Sequence, residues 1–503
     1  MVLGSSMLEI KRLMHQVRHN FFFIGLLSII WLLFRTGTKP SRMYYPCQRA
    51  SAATGGLWLT SYALPFVMAI NTIKMPSLKS RSLIIAGLML AFVLMSIFST
   101  NMFDIMGVAQ VASSAQGNDM KLVFSDKQAQ SSDASDIFVV NGTNGNEQGI
   151  NELIGLMKRH GLPFYAENNS SGIINKNDIV IIKVNSQWDE RGGTNTDLVK
   201  SLIQAIVDHP QGFQGEVVIA DNGQAQYGST GSGGSLSYSK NNAEDTSQSM
   251  QKVADSFSNY KVSTYLWDTI TDKRVNEYEE GDIKDGYVVE ESPYLETNLV
   301  VTYPKFKTEY GTNVSFKLGV WDSANNTYNS NRLKVINVPV LKSHGGYGVT
   351  ASVKHYMGVV SDKLSRAMGG RAHNSVGSGG MGTEMAQTRF PVLNIIDAIW
   401  VNANPGHGPS TSYSQATNTG VIAVGTDPIA LDYWSTKNIL MPAARARGYS
   451  DLSSIDPDNN LPGYFGNWLR LSMQEIQNAG RWVTIDEESM NIYVSSISAK
   501  KSN

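Results

Sequence analysis

DIVIIKV, Asp178–Val184, is the stretch whose reading decides the fold. Ile179 to Ile182 are four consecutive β-branched residues with no polar position between them. A strand of this kind is apolar on both faces and belongs in a buried, parallel sheet. Residues 195–208 follow with Leu198, Leu202, Ile203, Ala205 and Ile206 at helical spacing, and EVVIA at Glu216–Ala220 supplies the next strand. Strand, helix, strand over this distance predicts a βαβ unit. Lys183 and Asn185 end its first strand, and Asp221 and Asn222 end its second. In open α/β sheets ligands gather at these carboxyl ends.

Working outward, the Gly/Ser-rich run after Asp221 contains neither the phosphate-loop pattern nor the dinucleotide fingerprint. Further strands are expected at Ile137–Val140, Tyr260–Trp267, Val392–Val401 and Gly420–Val424, with helices at Ile150–His160 and Asp245–Phe257. Short strand-like pieces within 268–330, such as Tyr287–Val289 and Asn298–Thr302, read as an insertion. Asp427 precedes Pro428 as a helix N-cap, which places Asp432 in the second turn. The expected fold is α/β: a mostly parallel sheet flanked by helices over 137–503, with a β-rich insertion at about 268–330.

The chemistry concentrates in KVINVPVLKSHGGYGVTASVKHYMGVV, Lys334–Val360. Val335 to Leu341 form a strand that Pro339, lacking an N–H, places at an edge or terminates. Lys342, Ser343 and His344 then meet Gly345, Gly346 and Gly348, and an apolar segment from Val349 carries Lys354 and His355. The pattern predicts a strand-to-helix junction with Lys and His on both sides of a Gly-rich turn. Three chemistries fit. Lys342, Lys354 and the glycine amides suit an anion, with Lys183, Asn185, Asp221, Gly345, Gly346 and His407 as further ligand-binding candidates. Lys342, His344 and Lys354 suit acid–base catalysis on a hydroxy or oxo acid. A divalent metal would draw on His344, His373 or His407 with Asp397 or Asp432, although the spacings match no standard motif. Against all three stands the plain reading, in which these residues cap turns and solvate a rim.

Several ordered motifs resemble the domain-of-unknown-function 362 family. They are Lys183-Val184-Asn185, Asn337-Val338-Pro339 through Leu341-Lys342-Ser343-His344, Val349-Thr350, Val353-Lys354, Met357-Gly358, Asp397-Ala398, Gly406–Pro409, Asp427-Pro428 and Ala430-Leu431-Asp432. The resemblance covers about Asp178 to Asn438 and implies a site map rather than a reaction. Some relatives carry ferredoxin-like clusters. This chain has one cysteine, Cys47, so neither an iron–sulfur cluster nor an intrachain disulfide is expected, while a divalent metal stays open.

Lys plus Arg (42) nearly equals Asp plus Glu (43), which gives no field for nucleic acid. The first 113 residues carry three apolar windows, 21–34, 50–73 and 82–103. The third has the roughly 20-residue length of a membrane span. Residues 1–113 therefore read as a lipid-bilayer anchor of two or three helices, followed by a linker at 114–136. With the N-terminus inside, Lys11, Arg12, Arg18, Lys74, Lys79 and Arg81 lie inside and Arg35, Lys39, Arg42 and Arg49 outside. This bias places the large domain outside the cytoplasm. Two functions remain: a membrane-anchored domain binding a small anionic ligand, with acid–base or metal-assisted chemistry, or a non-catalytic envelope or protein-interaction domain with a vestigial site.

Overall fold

A computed structural model describes residues 28–29, 120, 122–130, 133–167, 171–224, 233–365 and 371–497. Apart from residues 28 and 29, the three apolar windows lie outside the described residues, as does Cys47. Among the described residues no helix is long and apolar enough to cross a membrane. Gln116–Asn503 is one compact unit, and the following concerns that unit.

Its strands, in chain order, are β1 Ser135–Asn141, β2 Ile179–Lys183, β3 Glu216–Asp221, β4 Val262–Leu266, β5 Gly286–Val289, β6 Thr302–Lys307, β7 Asn313–Ser315, β8 Gly319–Asp322, β9 Thr327–Asn329, β10 Leu333–Asn337, β11 Val340–His344, β12 Gly348–Thr350, β13 Leu393–Asn402, β14 Thr417–Gly425 and β15 Met490–Ser496. The helices are α1 Glu147–Arg159, α2 Thr196–Val207, α3 Met250–Asp255, α4 Gly380–Gln387, α5 Pro428–Ser435, α6 Met441–Ala446 and α7 Phe465–Asn478.

The main sheet runs β15-β1-β14-β13-β10-β2-β3-β4, with β11 and β12 attached through β13. β4, β3, β2, β10 and the start of β13 form a parallel run. β14 enters antiparallel to both β13 and β1, so the sheet is mixed but mostly parallel. As the unbroken apolar run of β2 requires, both faces are covered. Val180 and Ile182 join α1, α2 and α3 in one core, while Ile179 and Ile181 face the other. All four are at most 1 % exposed. Their burial is worth roughly 6–12 kcal/mol in gross transfer free energy, an upper bound because the unfolded chain is itself partly compact. A second sheet of five antiparallel strands, β5 to β9, lends Phe306, Val314 and Phe316 to the second core.

Three local features differ from expectation. The strand does end just before Pro339, one of the two expectations, but Pro339 does not mark an edge. β10 is central, and the chain breaks after Asn337 and resumes as β11 farther along the same neighbour, β13. The ladder survives because Asp397 N–H donates to the Pro339 carbonyl at 2.8 Å, a bond that needs no proline donor. The Gly-rich turn is a hairpin from β11 to antiparallel β12, not a strand-to-helix junction. Gly348, at φ +76, supplies the left-handed backbone that closes it, and a Cβ there would fall 1.9 Å from the Ser454 carbonyl. Only then does a short 3₁₀ turn, Lys354–Gly358, carry the second Lys-His pair. Lastly, in the stretch read as linker, Lys127 bridges to Ile492 of β15 and Phe124 packs on Trp434.

Candidate functional site

Parallel pairing sets the ends of β2, β3 and β10 side by side, with Lys183 in register with both Ala220 and Asn337. This brings Lys183 Nζ within 2.8 Å of Asp221 Oδ1, with both side chains almost wholly buried. Lys183 Nζ also donates to the carbonyls of His355 (2.8 Å) and Val184 (3.2 Å). Asp221 Oδ2 accepts from Ser186 N (2.7 Å) and Ser186 Oγ (3.0 Å). The pair makes its contacts within the protein and ties β2 and β3 to the Lys354–Gly358 turn. Gly358 packs directly on it, since a Cβ there would lie 2.1 Å from Asp221 Oδ1 and 2.3 Å from Lys183 Nζ.

The same turn is braced from the other side by α5. Asp427 caps that helix through the amides of Ile429 (2.8 Å) and Ala430 (3.0 Å), as its sequence predicts. One turn on, the Asp432 carboxyl accepts from Ser352 N at 2.7 Å and Val353 N at 2.9 Å. Burial pushes the Asp432 acid up to about 7 against the pull of these amides. Asp432 thus orients the backbone immediately before Lys354.

Beside this brace lies a second cationic pair. Lys342, fully buried on β11, donates to the Gly192 carbonyl. Its ammonium is pushed down to about 7, chiefly by burial and then by the charge of Lys354. Lys354 is 5 % exposed, and burial brings its ammonium down to about 7 as well. Its Nζ lies 5.7 Å from the centre of the Tyr347 ring. No hydrogen-bond acceptor for it stands among the described residues. A buried ammonium without an acceptor costs several kcal/mol unless a ligand or water supplies one.

Three aromatic rings line the Lys354 side. His344 lies 5.6 Å from Tyr347 and 5.7 Å from His373, and Tyr347 stands edge-on to His373 at 4.9 Å. The Tyr347 hydroxyl donates to the His373 carbonyl at 2.8 Å. Gly346 N–H donates to His344 Nδ1 at 3.0 Å, which assigns the His344 proton to Nε2. Burial, followed by the charge of Lys354, holds His344 well below the ordinary imidazole range. Gly345 and Gly346 are exposed and form the outer lip of this cluster, while Tyr347 and His373 are half-buried.

His355 points inward. Asn337 Nδ2 donates to the Ser352 carbonyl and to Asn394 Oδ1, so Asn337 Oδ1 must accept from His355 Nδ1, 2.7 Å away. That leaves His355 Nε2 buried without a well-formed hydrogen bond, with the Val184 carbonyl as its neighbour. Asn185 Oδ1 and Ser343 Oγ are buried with no hydrogen-bond partner among the described residues.

The remaining candidates divide. Asp397 is buried and accepts from Asn195 N (2.8 Å), Ile399 N (3.2 Å) and Asn242 Nδ2 (3.4 Å). Burial raises it to about 6. His407 is exposed on a turn that meets the Gly345 lip, where Gly345 N–H donates to the Gly408 carbonyl at 3.4 Å. Among the described residues no group of three or more His, Cys, Asp or Glu stands close enough to hold a metal. His344 and His373 are neighbours, but Asp397 is committed to amide donors. Four participants escaped the sequence reading: Tyr347, Gly192, Asn337 and the bracing role of Asp432. Asn337 and Asp432 carried a signal, through their places in the family pattern; Tyr347 and Gly192 carried none.

Residues 331–437 match the model of a protein family described as Domain of unknown function (DUF362). A thylakoid-associated protein of Synechocystis sp. is 31% identical over 131 residues, covering 24% of this chain and 39% of that protein. The chain thus spans well under half of that relative's length. No solved structure matches.

Proposed function

We propose that the body of this protein binds a small anion, a carboxylate or phosphate, between Lys342, His344, Lys354 and the amides of the Gly345-Gly346 lip. The observation that carries the reading is the Lys354 ammonium, on a buried side chain with no acceptor among the described residues and close enough to Lys342 to disfavour the Lys342 charge. An anion relieves both penalties at once, and charge-assisted bonds of this kind contribute about 1.5–3 kcal/mol each. Lys183 and Asp221 support the site from behind and do not face the ligand.

In this reading residues 137–503, with the insertion at 268–330, are the binding body. Residues 1–113 anchor it to the bilayer and hold it outside the cytoplasm. The similarity to a thylakoid-associated protein supports membrane attachment. A reporter fused after Ser113 that is active only in the cytoplasm would overturn the sidedness.

Titration calorimetry of the full chain in mild detergent with inorganic phosphate, oxalate and glyoxylate tests the site. At least one is expected to bind, with affinity about tenfold or more weaker in Lys354→Met, the loss of one charge-assisted bond. Absence of binding by all three, or equal binding by the variant, sinks the reading and leaves a non-catalytic interaction domain.

A further inference from the structure

Anion binding alone does not account for the character of Lys354. Lysines that bind phosphate or carboxylate as point charges gain from staying protonated, yet this side chain is buried among Tyr347, His344 and His373 with a second lysine nearby. Desolvation and an adjacent cation together turn a lysine into a free amine near neutrality, and such an amine is a nucleophile toward carbonyl carbon. Lys342 differs in one respect: its Nζ is already engaged by the Gly192 carbonyl. The two lysines are therefore unequal, one held in place and one without an acceptor among the described residues.

We propose that Lys354 forms an imine with the carbonyl carbon of a small 2-oxo acid, whose carboxylate is held by Lys342 and the His344 Nε2–H. The inference rests on the anion-site reading and narrows its ligand to an oxo acid. In the step, the neutral Lys354 Nζ attacks the carbonyl carbon, and the C–O π pair moves to oxygen, which takes a proton. The resulting carbinolamine loses that oxygen as water while nitrogen gives up its protons, leaving a C=N bond. No oxidant, reductant or metal is consumed. The His344 Nε2–H stays on the carboxylate, its direction set by the Gly346 N–H on Nδ1, and the departing oxygen takes up, through solvent, the protons that nitrogen gives up. The Tyr347 hydroxyl donates its proton to the His373 carbonyl, which leaves it no proton for the reaction.

Reductive trapping tests this on the full chain. Glyoxylate or pyruvate is added with cyanoborohydride at pH 7, hydride adds to the imine carbon, and peptide mass mapping locates the secondary amine. An ordinary lysine near 10.4 is about 0.04 % neutral at pH 7, whereas one near 7 is half neutral, so Lys354 is expected to label on the order of 10³-fold faster than surface lysines. Lys354→Arg keeps the positive charge and should abolish the fast label; far-ultraviolet circular dichroism checks that it folds. Lys342→Met should slow trapping of the oxo acid more than trapping of propanal, which has no carboxylate. Binding of oxalate without fast labelling at Lys354 overturns the imine and leaves the anion site standing. Absence of both overturns both. Propanal labelling Lys354 as fast as pyruvate in the unaltered chain overturns the carboxylate anchor.

Discussion

Replacing Gly358 by alanine adds one methyl group to the most constrained point of the structure. The new Cβ would sit 2.1 Å from Asp221 Oδ1 and 2.3 Å from Lys183 Nζ. Neither atom is free to retreat. Asp221 is pinned by Ser186 through both N and Oγ, and Lys183 by the carbonyls of His355 and Val184. Gly358 has no positive φ, so the effect is steric and not conformational. Overpacking a core by a methyl costs about 1–3 kcal/mol. Prising apart a buried ion pair costs about 3–5 kcal/mol, because each charge is left partly unpaired. We expect Gly358→Ala to lose about 3–5 kcal/mol, read as a lower urea midpoint with unchanged slope for the full chain in mild detergent. Gly155→Ala is the control. It lies inside α1, and its Cβ would meet only Arg159 Nη1 at 3.3 Å, so helix propensity predicts a gain of about 0.5–1 kcal/mol. A Gly358→Ala midpoint within about 1 kcal/mol of the parent would refute the brace, since the pair would then be able to move aside.

Asp432→Asn keeps one acceptor for two amides, Ser352 N and Val353 N, and turns an NH₂ toward the other. It should cost about 1–3 kcal/mol and weaken anion binding through the displaced Lys354, both measurable by melting with and without oxalate. Asp427→Ala removes a cap that also accepts from Thr484 N at 2.9 Å, and should cost about 2 kcal/mol by urea unfolding. The pH dependence has a definite sign. Lys354 holds its proton to about 7 when folded and to about 10.4 when unfolded, so the unfolded chain binds more protons in between. Stability from this group is full above that window and is lost as pH falls from 10 toward 7. Lys354→Met should flatten that part of the melting profile. Asp432, raised to about 7, acts in the opposite sense: its contribution is full below about 4 and is lost as pH climbs through 7. A Lys354→Met profile parallel to the parent's between pH 7 and 10 would count against a buried, acceptor-free amine.

How much of this was legible follows from the range over which each interaction acts. The βαβ core was legible because burial on both faces leaves an unbroken apolar run, and Ile179–Ile182 shows one. The Asp427 cap was legible because capping is local. The hairpin of β11 and β12 was not, since Val349 to Val353 is a short apolar segment whose periodicity suits strand and helix alike. The 245–257 helix shrank to Met250–Asp255 because Ser249, accepting from Lys252 N, caps it five residues into the expected range. Lys183 and Asp221 were visible as strand ends, but adjacency in a parallel sheet makes them partners of each other before they can serve a ligand. Asp432 and Val353 are 79 residues apart, and no pattern along the chain encodes that bond.

The boundary of the family match divides the charges unequally. Residues 331–437 contain Lys342, His344, Lys354, His355 and His373, together with the Asp432 brace and the amide-bound Asp397. What lies outside the match is the Lys183–Asp221 pair and the Gly192 carbonyl that receives Lys342. The matched segment by itself thus holds two buried ammonium groups and no carboxylate in hydrogen-bond contact with either. Folding them into the interior is costly unless the surrounding chain supplies carbonyl acceptors or a ligand supplies negative charge. Among the described residues the surrounding chain supplies one acceptor, and it serves Lys342. Lys354 keeps, among the described residues, an unmet demand for an acceptor or an electrophile. A demand of that kind is more easily explained as a binding or reacting group than as a structural one, because the neighbouring Lys183 shows how the same fold satisfies a buried lysine when its role is support.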